Sequence, residues 1–325
     1  MKAAVLTAPE TLALVSVPDP TLGIHDVLVK IGGVGVCGSD LALYRGSRKP
    51  PRLPWIMGHE GVGEIVAVGA AVTNRALGQQ VAIEPNYCCF CCPACLDGRT
   101  SACRHRVILG MNHPGVLSQY VAVPARFAWP VSDRVAPDDL VCAEPMTVAH
   151  AAMRRSGIGE GQECLVVGAG SQGLFLCQAL LSLGARPYVQ EPHDGRRELA
   201  QRLGAEAVHD AVGDLPYLFE TSGAPSALTP ALRRLAENGT AMLIGMNDTA
   251  MSLSTSDLVY RQLTLTGSLI YDHPRDFATT VEALDTGHVQ PGKTIAARYP
   301  FDDVATAFAD TATISGKLWI EFPKT

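Results

Sequence analysis

The 325-residue sequence predicts two domains of different class: an all-β, barrel-like domain first, then an α/β domain built on a doubly wound parallel sheet. Three observations lead there. Up to about residue 131 the chain is a series of short Val/Ile/Leu runs broken by Gly and Pro. From about Glu144 onward, strand-like and helix-like segments alternate. A glycine-rich turn, "VVGAGSQG", lies between an apolar strand and an apolar helix.

The elements follow in order. "AAVLTA", "DVLVKIGGVGV", "GEIVAVGAAV" and "QQVAIEP" are strand-length runs bounded by turn residues, and "SQYVAVPARFAWPV" continues them. "MTVAHAAMRRSG" changes to helical spacing. "ECLVVGAGSQGLFLCQALLSLGA" reads as a buried strand, a turn and a helix, and "RPYVQEPHDGRRELAQRLGA" as the next strand and helix. "YLFETSG", "ALTPALRRLAENG", "TAMLIGM" and "LTLTGSL" extend the alternation, which implies parallel strands with right-handed crossovers. Between Gly204 and Gly223 there is room for a strand "AVHD" and the strand "YLFETSG" but not for a full crossover helix, so that helix is expected to be absent or cut to a turn. "DFATTVEALDTG" and "FDDVATAFADTATISGKLWIEF" supply two helices and a closing strand.

Composition narrows the function. With 47% hydrophobic and 18% charged residues the chain supports a large core. A net charge of −6 without a basic stripe argues against nucleic acid as partner. No apolar run approaches the roughly 18 residues of a membrane span, and Pro9 breaks the N-terminal run too early for a secretory signal. The expectation is a cytoplasmic protein.

In a reducing compartment, clustered cysteines point to metal or redox chemistry rather than disulfides. "NYCCFCCPACLDGRTSAC" holds six of the ten cysteines. Cys88 and Cys91 form one Cys-x-x-Cys pair, but that series continues to Ala94. Cys89, Cys92 and Cys95 form an unbroken triple, followed by Cys103, and four thiolates complete a closed, structural zinc tetrahedron. A redox dithiol, or a cluster recruiting Cys88 or Cys91, is the competing reading.

Gly168, Gly170 and Gly173 form Gly-x-Gly-x-x-Gly directly after a strand, the context in which backbone approaches a pyrophosphate at a helix N-terminus. Glu191 ends the next strand 18 residues on, placed to accept from ribose hydroxyls and to repel a 2′-phosphate. The expected cofactor is NAD rather than NADP, although Arg196 and Arg197 stand near enough to receive a phosphate. A second polar constellation comes from "GVCGSD" (Cys37, Ser39, Asp40), "GHEGVG" (His59, Glu60) and "AEP" (Glu144). A thiolate, an imidazole and a carboxylate hold zinc with a position left open.

With these motifs in this order, the sequence resembles the zinc-dependent medium-chain alcohol dehydrogenases, on their sorbitol, glucose and threonine dehydrogenase side. The resemblance implies a GroES-like zinc-binding catalytic domain over residues 1–145 and 269–325 and a Rossmann domain over 146–268. It implies Cys37 and His59 as catalytic zinc ligands, with Glu144 where some branches carry a second Cys and Glu60 a direct or interchangeable ligand. Asp40 would hold the far nitrogen of His59 and Ser39 would pass the alcohol proton outward. The cofactor surface it implies comprises Gly168, Gly170, Ser171, Gln172, Gly173, Glu191, Arg196, Ser222, Gly245, Gly267 and Ser268.

The implied chemistry is hydride transfer between a secondary alcohol and NAD(P), with one catalytic and one structural zinc per chain, in a homodimer or homotetramer. A reductase of conjugated C=C or C=N bonds and a non-catalytic zinc- and nucleotide-binding module are the alternatives on this fold. Ala42 stands five residues after Cys37, where some members carry a relay histidine. Tyr44, Trp55 and Asn112 are candidates for the pocket lining.

Overall fold

Val27, Val29 and Ile31 are buried and alternate with the partly exposed Asp26, Leu28 and Lys30 in "DVLVKIGGVG", the two-residue period of a half-buried strand. In the computed structural model, which describes residues 1–323, this strand, Asp26–Gly35, is the hub of a seven-stranded sheet. It pairs antiparallel with Glu60–Val68, Tyr120–Pro124 and Lys317–Glu321. The sheet continues through Gln80–Ile83 to Ala128–Pro130 on one side and through Lys317–Glu321 to Ile295–Pro300 on the other. Two register shifts against Glu60–Val68, at Leu28/Val29 and Ile31/Gly33, are bulges of the kind that bend a sheet. Gly63 fits there because a Cβ would stand 2.0 Å from the Lys30 carbonyl oxygen. Val27, Val29, Ile31, Ile65, Val81 and Ile83 fill the core inside.

The structure divides into two compact units. The first comprises Met1–Glu144, His273–Gly287 and the chain from Ile295 onward; the second comprises Pro145–Asp272 and His288–Thr294. Of the tail assigned to the catalytic domain in the sequence reading, Lys324 and Thr325 lie outside the described residues.

The second unit carries a six-stranded sheet, in spatial order Glu206–Ala207, Arg186–Gln190, Glu163–Val167, Leu215–Glu220, Leu235–Leu243 and Thr264–Gly267. Every pairing is parallel. Numbered along the chain, this is 3-2-1-4-5-6, the doubly wound order whose switch point lies beside the first strand. The connection between Ala207 and Leu215 contains a turn and no helix, matching its length.

Two elements differ from the sequence reading. The strand of "TAMLIGM" begins earlier, at Leu235, which pairs with Leu215; "AENG", with Asn238 at φ 58°, is an irregularity in the register before Thr240 meets Tyr217. Ile295–Pro300, unassigned in the sequence, pairs parallel with Lys317–Glu321; its exposed alternate residues hid the strand pattern.

Candidate metal centre and cofactor turn

The helix Gly38–Tyr44 begins at Cys37, which serves as its N-cap within a capping box closed by Asp40. Asp40 Oδ2 accepts from the Cys37 amide at 3.1 Å and Oδ1 accepts from the Gly58 amide at 3.1 Å. The carboxylate therefore ties the Cys37 turn to the turn preceding His59, two segments about 20 residues apart. Gly58 makes that turn at φ 89°, a conformation strained for any side chain.

Asp40 Oδ1 also lies 3.2 Å from His59 Nδ1, which leaves Nε2 as the ring nitrogen that could face a metal. Asp40 is buried, which raises its pKa, but His59 and the two amides outweigh that and hold it below the usual carboxylate value. For His59, burial favours the neutral ring, yet the charges of Asp40 and Cys37 push its pKa well up. Asp40 and Cys37 thus make the surroundings of His59 favourable to positive charge.

Cys37, His59 and Glu60 each present one donor atom, all within 4.8 Å of one another. Sulfur, imidazole nitrogen and carboxylate oxygen form the three-donor set of an open zinc centre. Glu60 is fully buried and its Oε1 has no hydrogen-bond partner, so a cation fits its surroundings. Ser39 Oγ stands 3.4 Å from His59 Nε2. Glu144 is buried on the first turn of the helix Ala143–Ser156 and does not belong to the three-residue group.

Sequence reasoning missed Lys317. Its ammonium pairs with the Glu60 carboxylate and donates to the Val36 carbonyl at 3.0 Å, wholly buried. Burial alone would lower its pKa; the charges of Glu60 and Cys37 reverse the direction. A lysine at the head of the apolar run "KLWIEF" is the signal that points to it, since a charge entering a core strand needs a partner.

Cys89, Cys92, Cys95 and Cys103 form the second group. Their sulfurs stand 3.5 Å (Cys92–Cys95) and 3.9 Å (Cys89–Cys95) apart, close to the roughly 3.8 Å edge of a tetrahedron with zinc–sulfur arms of about 2.3 Å. The thiols of this group differ among themselves: burial and the hydrogen bonds with Cys92 and Cys103 push Cys95 up. Backbone amides of Cys91 and Cys92 bring the Cys89 thiol down to about 6, in the thiolate form a metal needs. Burial, aided by Glu84, pushes Cys88 up to about 11. Cys91 is exposed.

At the glycine-rich turn, Gly168 has φ 93°, and a Cβ on Gly173 would stand 2.0 Å from the Gly168 carbonyl oxygen. Gly170 faces open space instead, the room a pyrophosphate needs at the start of the helix Ser171–Ser182, which carries Gln172 in its first turn. Glu191 closes on the same turn: Oε2 accepts from the Ala169 amide at 2.8 Å and Oε1 from the His193 amide at 2.9 Å. Arg197 pairs with Asp194 and donates to the Glu191 carbonyl at 3.1 Å, while Arg196 lies half-buried on the same helix.

Ser222 and Gly245 gather around Glu220: the carboxylate accepts from the Ser222 amide at 2.7 Å, and a Cβ on Gly245 would come within 2.6 Å of it. Gly267 ends the edge strand with open space beside its Cα, and Ser268 is buried next to it. Tyr44 packs on Phe308 with ring centroids 5.3 Å apart, Trp55 Nε1 donates to the Gly110 carbonyl at 2.7 Å, and Asn112 Oδ1 accepts from the Ile108 amide at 2.6 Å.

Residues 23–133 match the alcohol dehydrogenase GroES-like domain and residues 173–286 match the zinc-binding dehydrogenase domain. The chain is 31% identical to the L-threonine 3-dehydrogenase of Photorhabdus laumondii, with 81% of this chain and 82% of that one covered. It is 29% identical to the L-galactonate-5-dehydrogenase of Escherichia coli K12, covering 89% and 88%. An alcohol dehydrogenase from Escherichia coli CFT073, solved with NADH, superimposes with a TM-score of 0.92 at 27% identity over 99% of both chains. The chain belongs to the zinc-dependent medium-chain alcohol dehydrogenases. It is a zinc-type, NAD(P)-dependent alcohol dehydrogenase built from a GroES-like and a Rossmann domain.

Proposed function

We propose that this protein transfers hydride between NAD and a secondary alcohol of the polyol, sugar, cyclitol or amino-alcohol type, interconverting alcohol and ketone. The observation that carries the reading is the group Cys37, His59 and Glu60, with Asp40 fixed behind the imidazole. Zinc held there would supply a Lewis acid at the reacting oxygen. The nicotinamide's redox chemistry belongs to the cofactor, and the protein's part is position and field.

Asp40 sets the tautomer and orientation of His59. Ser39, in reach of that ring, is the first station for the hydroxyl proton on its way out, since Ala42 offers no relay. Lys317 restrains the Glu60 carboxylate, which would be the direct or interchangeable third ligand beside Cys37 and His59. Cys89, Cys92, Cys95 and Cys103 would hold a second, structural zinc with no open position.

Glu191, fixed beside the glycine turn, favours NAD over NADP through repulsion of a 2′-phosphate. Substrates named in the relatives, L-galactonate and L-threonine, support a hydroxyl-rich or amino-alcohol substrate. The same reading makes the protein a cytoplasmic homodimer or homotetramer whose second copy adds to the edge strand Thr264–Gly267. Tyr260, 84% exposed on the helix Thr255–Arg261 of the same unit, supports a covered surface there.

The test is a panel of polyols, aldonates and amino alcohols supplied with NAD to the zinc-loaded protein, followed by NADH absorbance. One substrate class should generate NADH. Failure of every alcohol and ketone with zinc bound, or turnover of conjugated C=C bonds alone, contradicts the proposal.

A further inference from the structure

The helix Ala143–Ser156 ends in Arg154 and Arg155. A cation there is favourable on dipole grounds alone, but the Arg155 guanidinium reaches away to a loop more than 110 residues further along the chain. Its Nη1 donates to Ser268 Oγ at 2.9 Å, to the Leu269 carbonyl at 3.0 Å and to the Ile270 carbonyl at 2.8 Å. Its Nη2 donates to Asp272 Oδ2 at 3.2 Å, and Arg154 Nη2 donates to the same oxygen at 3.0 Å. One planar group thus ties down four residues of a five-residue loop.

That loop needs tying. Ile270 has φ 39°, a left-handed conformation that a β-branched side chain keeps only where its surroundings over-determine it. The Ser268 amide still donates to the Leu243 carbonyl at 2.8 Å, so the chain leaves the sheet at Ser268, just past the open space beside Gly267. The path of the backbone from there on is the path Arg155 dictates.

We infer that Arg155 is a positioning residue for the nicotinamide half of the cofactor, acting through the loop Ser268–Asp272. The inference rests on the proposed function, with Gly267 and Ser268 of the implied cofactor surface read as the strand end that passes the nicotinamide. Without the guanidinium, Ile270 relaxes to an ordinary φ, the Leu269 and Ile270 carbonyls turn elsewhere, and the surface beside Gly267 loses its shape.

The experiment compares Arg155→Met and Arg155→Lys with the wild-type protein, measuring the Kd of NADH and of ADP-ribose, which lacks the nicotinamide. Arg155→Met should weaken NADH by about tenfold or more while leaving ADP-ribose within about twofold. Arg155→Lys should rescue only part, because an ammonium cannot reproduce the fork. If the Met variant fails to fold, Asp272→Asn removes the negative charge from the same clamp and should show the same selectivity, about threefold. Unchanged NADH affinity overturns the inference, as does equal weakening of NADH and ADP-ribose in either variant. A wild-type protein that binds neither compound refutes the proposed function itself, a separate outcome.

Discussion

Asp40 is the residue on which the metal centre turns, because it alone contacts the Cys37 amide, the Gly58 amide and the His59 ring. Asp40→Asn keeps the shape but removes the charge that orients the imidazole. It should lower metal affinity or turnover by about 10–100-fold, read by chelator competition and steady-state kinetics. The thiols give a second residue-scale prediction. Burial pushes Cys177 up to about 12 and raises Cys142 and Cys164 in the same direction. A thiol titrating near 12 is thiolate in roughly one molecule in ten thousand at pH 8, and reactivity rises tenfold per pH unit only toward that value. Iodoacetamide at pH 8 should therefore mark exposed Cys91 and spare these three until the chain is unfolded, as peptide mass spectrometry will show. Cys37, His59 and the cysteine triple were legible because their chemistry is tied to short spacings. Lys317 and Arg155 were not, since their partners lie 257 and more than 110 residues away in sequence and only folding pairs them.

Among the elements, the strand–turn–helix Glu163–Ser182 was the most readable: strand period, glycine spacing and apolar helix all agree there. The structure assigns its glycines separate duties. Gly173 is needed for packing, whereas Gly170 has nothing within 4 Å of its missing Cβ. Gly170→Ala should fold with an unaltered melting temperature and yet bind NADH at least about tenfold more weakly, because the methyl fills the pyrophosphate's space. Normal NADH affinity in that variant would remove the turn from the cofactor site. The shortened connection before Leu215 was also readable, from length alone. The strand Ile295–Pro300 was not, since its exposed alternate residues carry no apolar signal and its place is fixed by pairing with Lys317–Glu321.

For the whole molecule, the class of each half followed from texture, but the division did not. The chain returns to the first unit at His273, gives residues 288–294 back to the second, and returns again at Ile295. Nothing in local sequence marks those exchanges, because they depend on which strand edges remain to be paired. No helix among the described residues is long and apolar enough to cross a membrane. The two metal groups both lie in the first unit, on different segments, so they can be emptied independently. The most direct measurement is zinc per chain in the wild-type protein and in a Cys37→Ala variant that retains the wild-type circular dichroism spectrum. The account predicts two zinc ions falling to one, with NADH formation abolished. Two ions retained in the variant would contradict it.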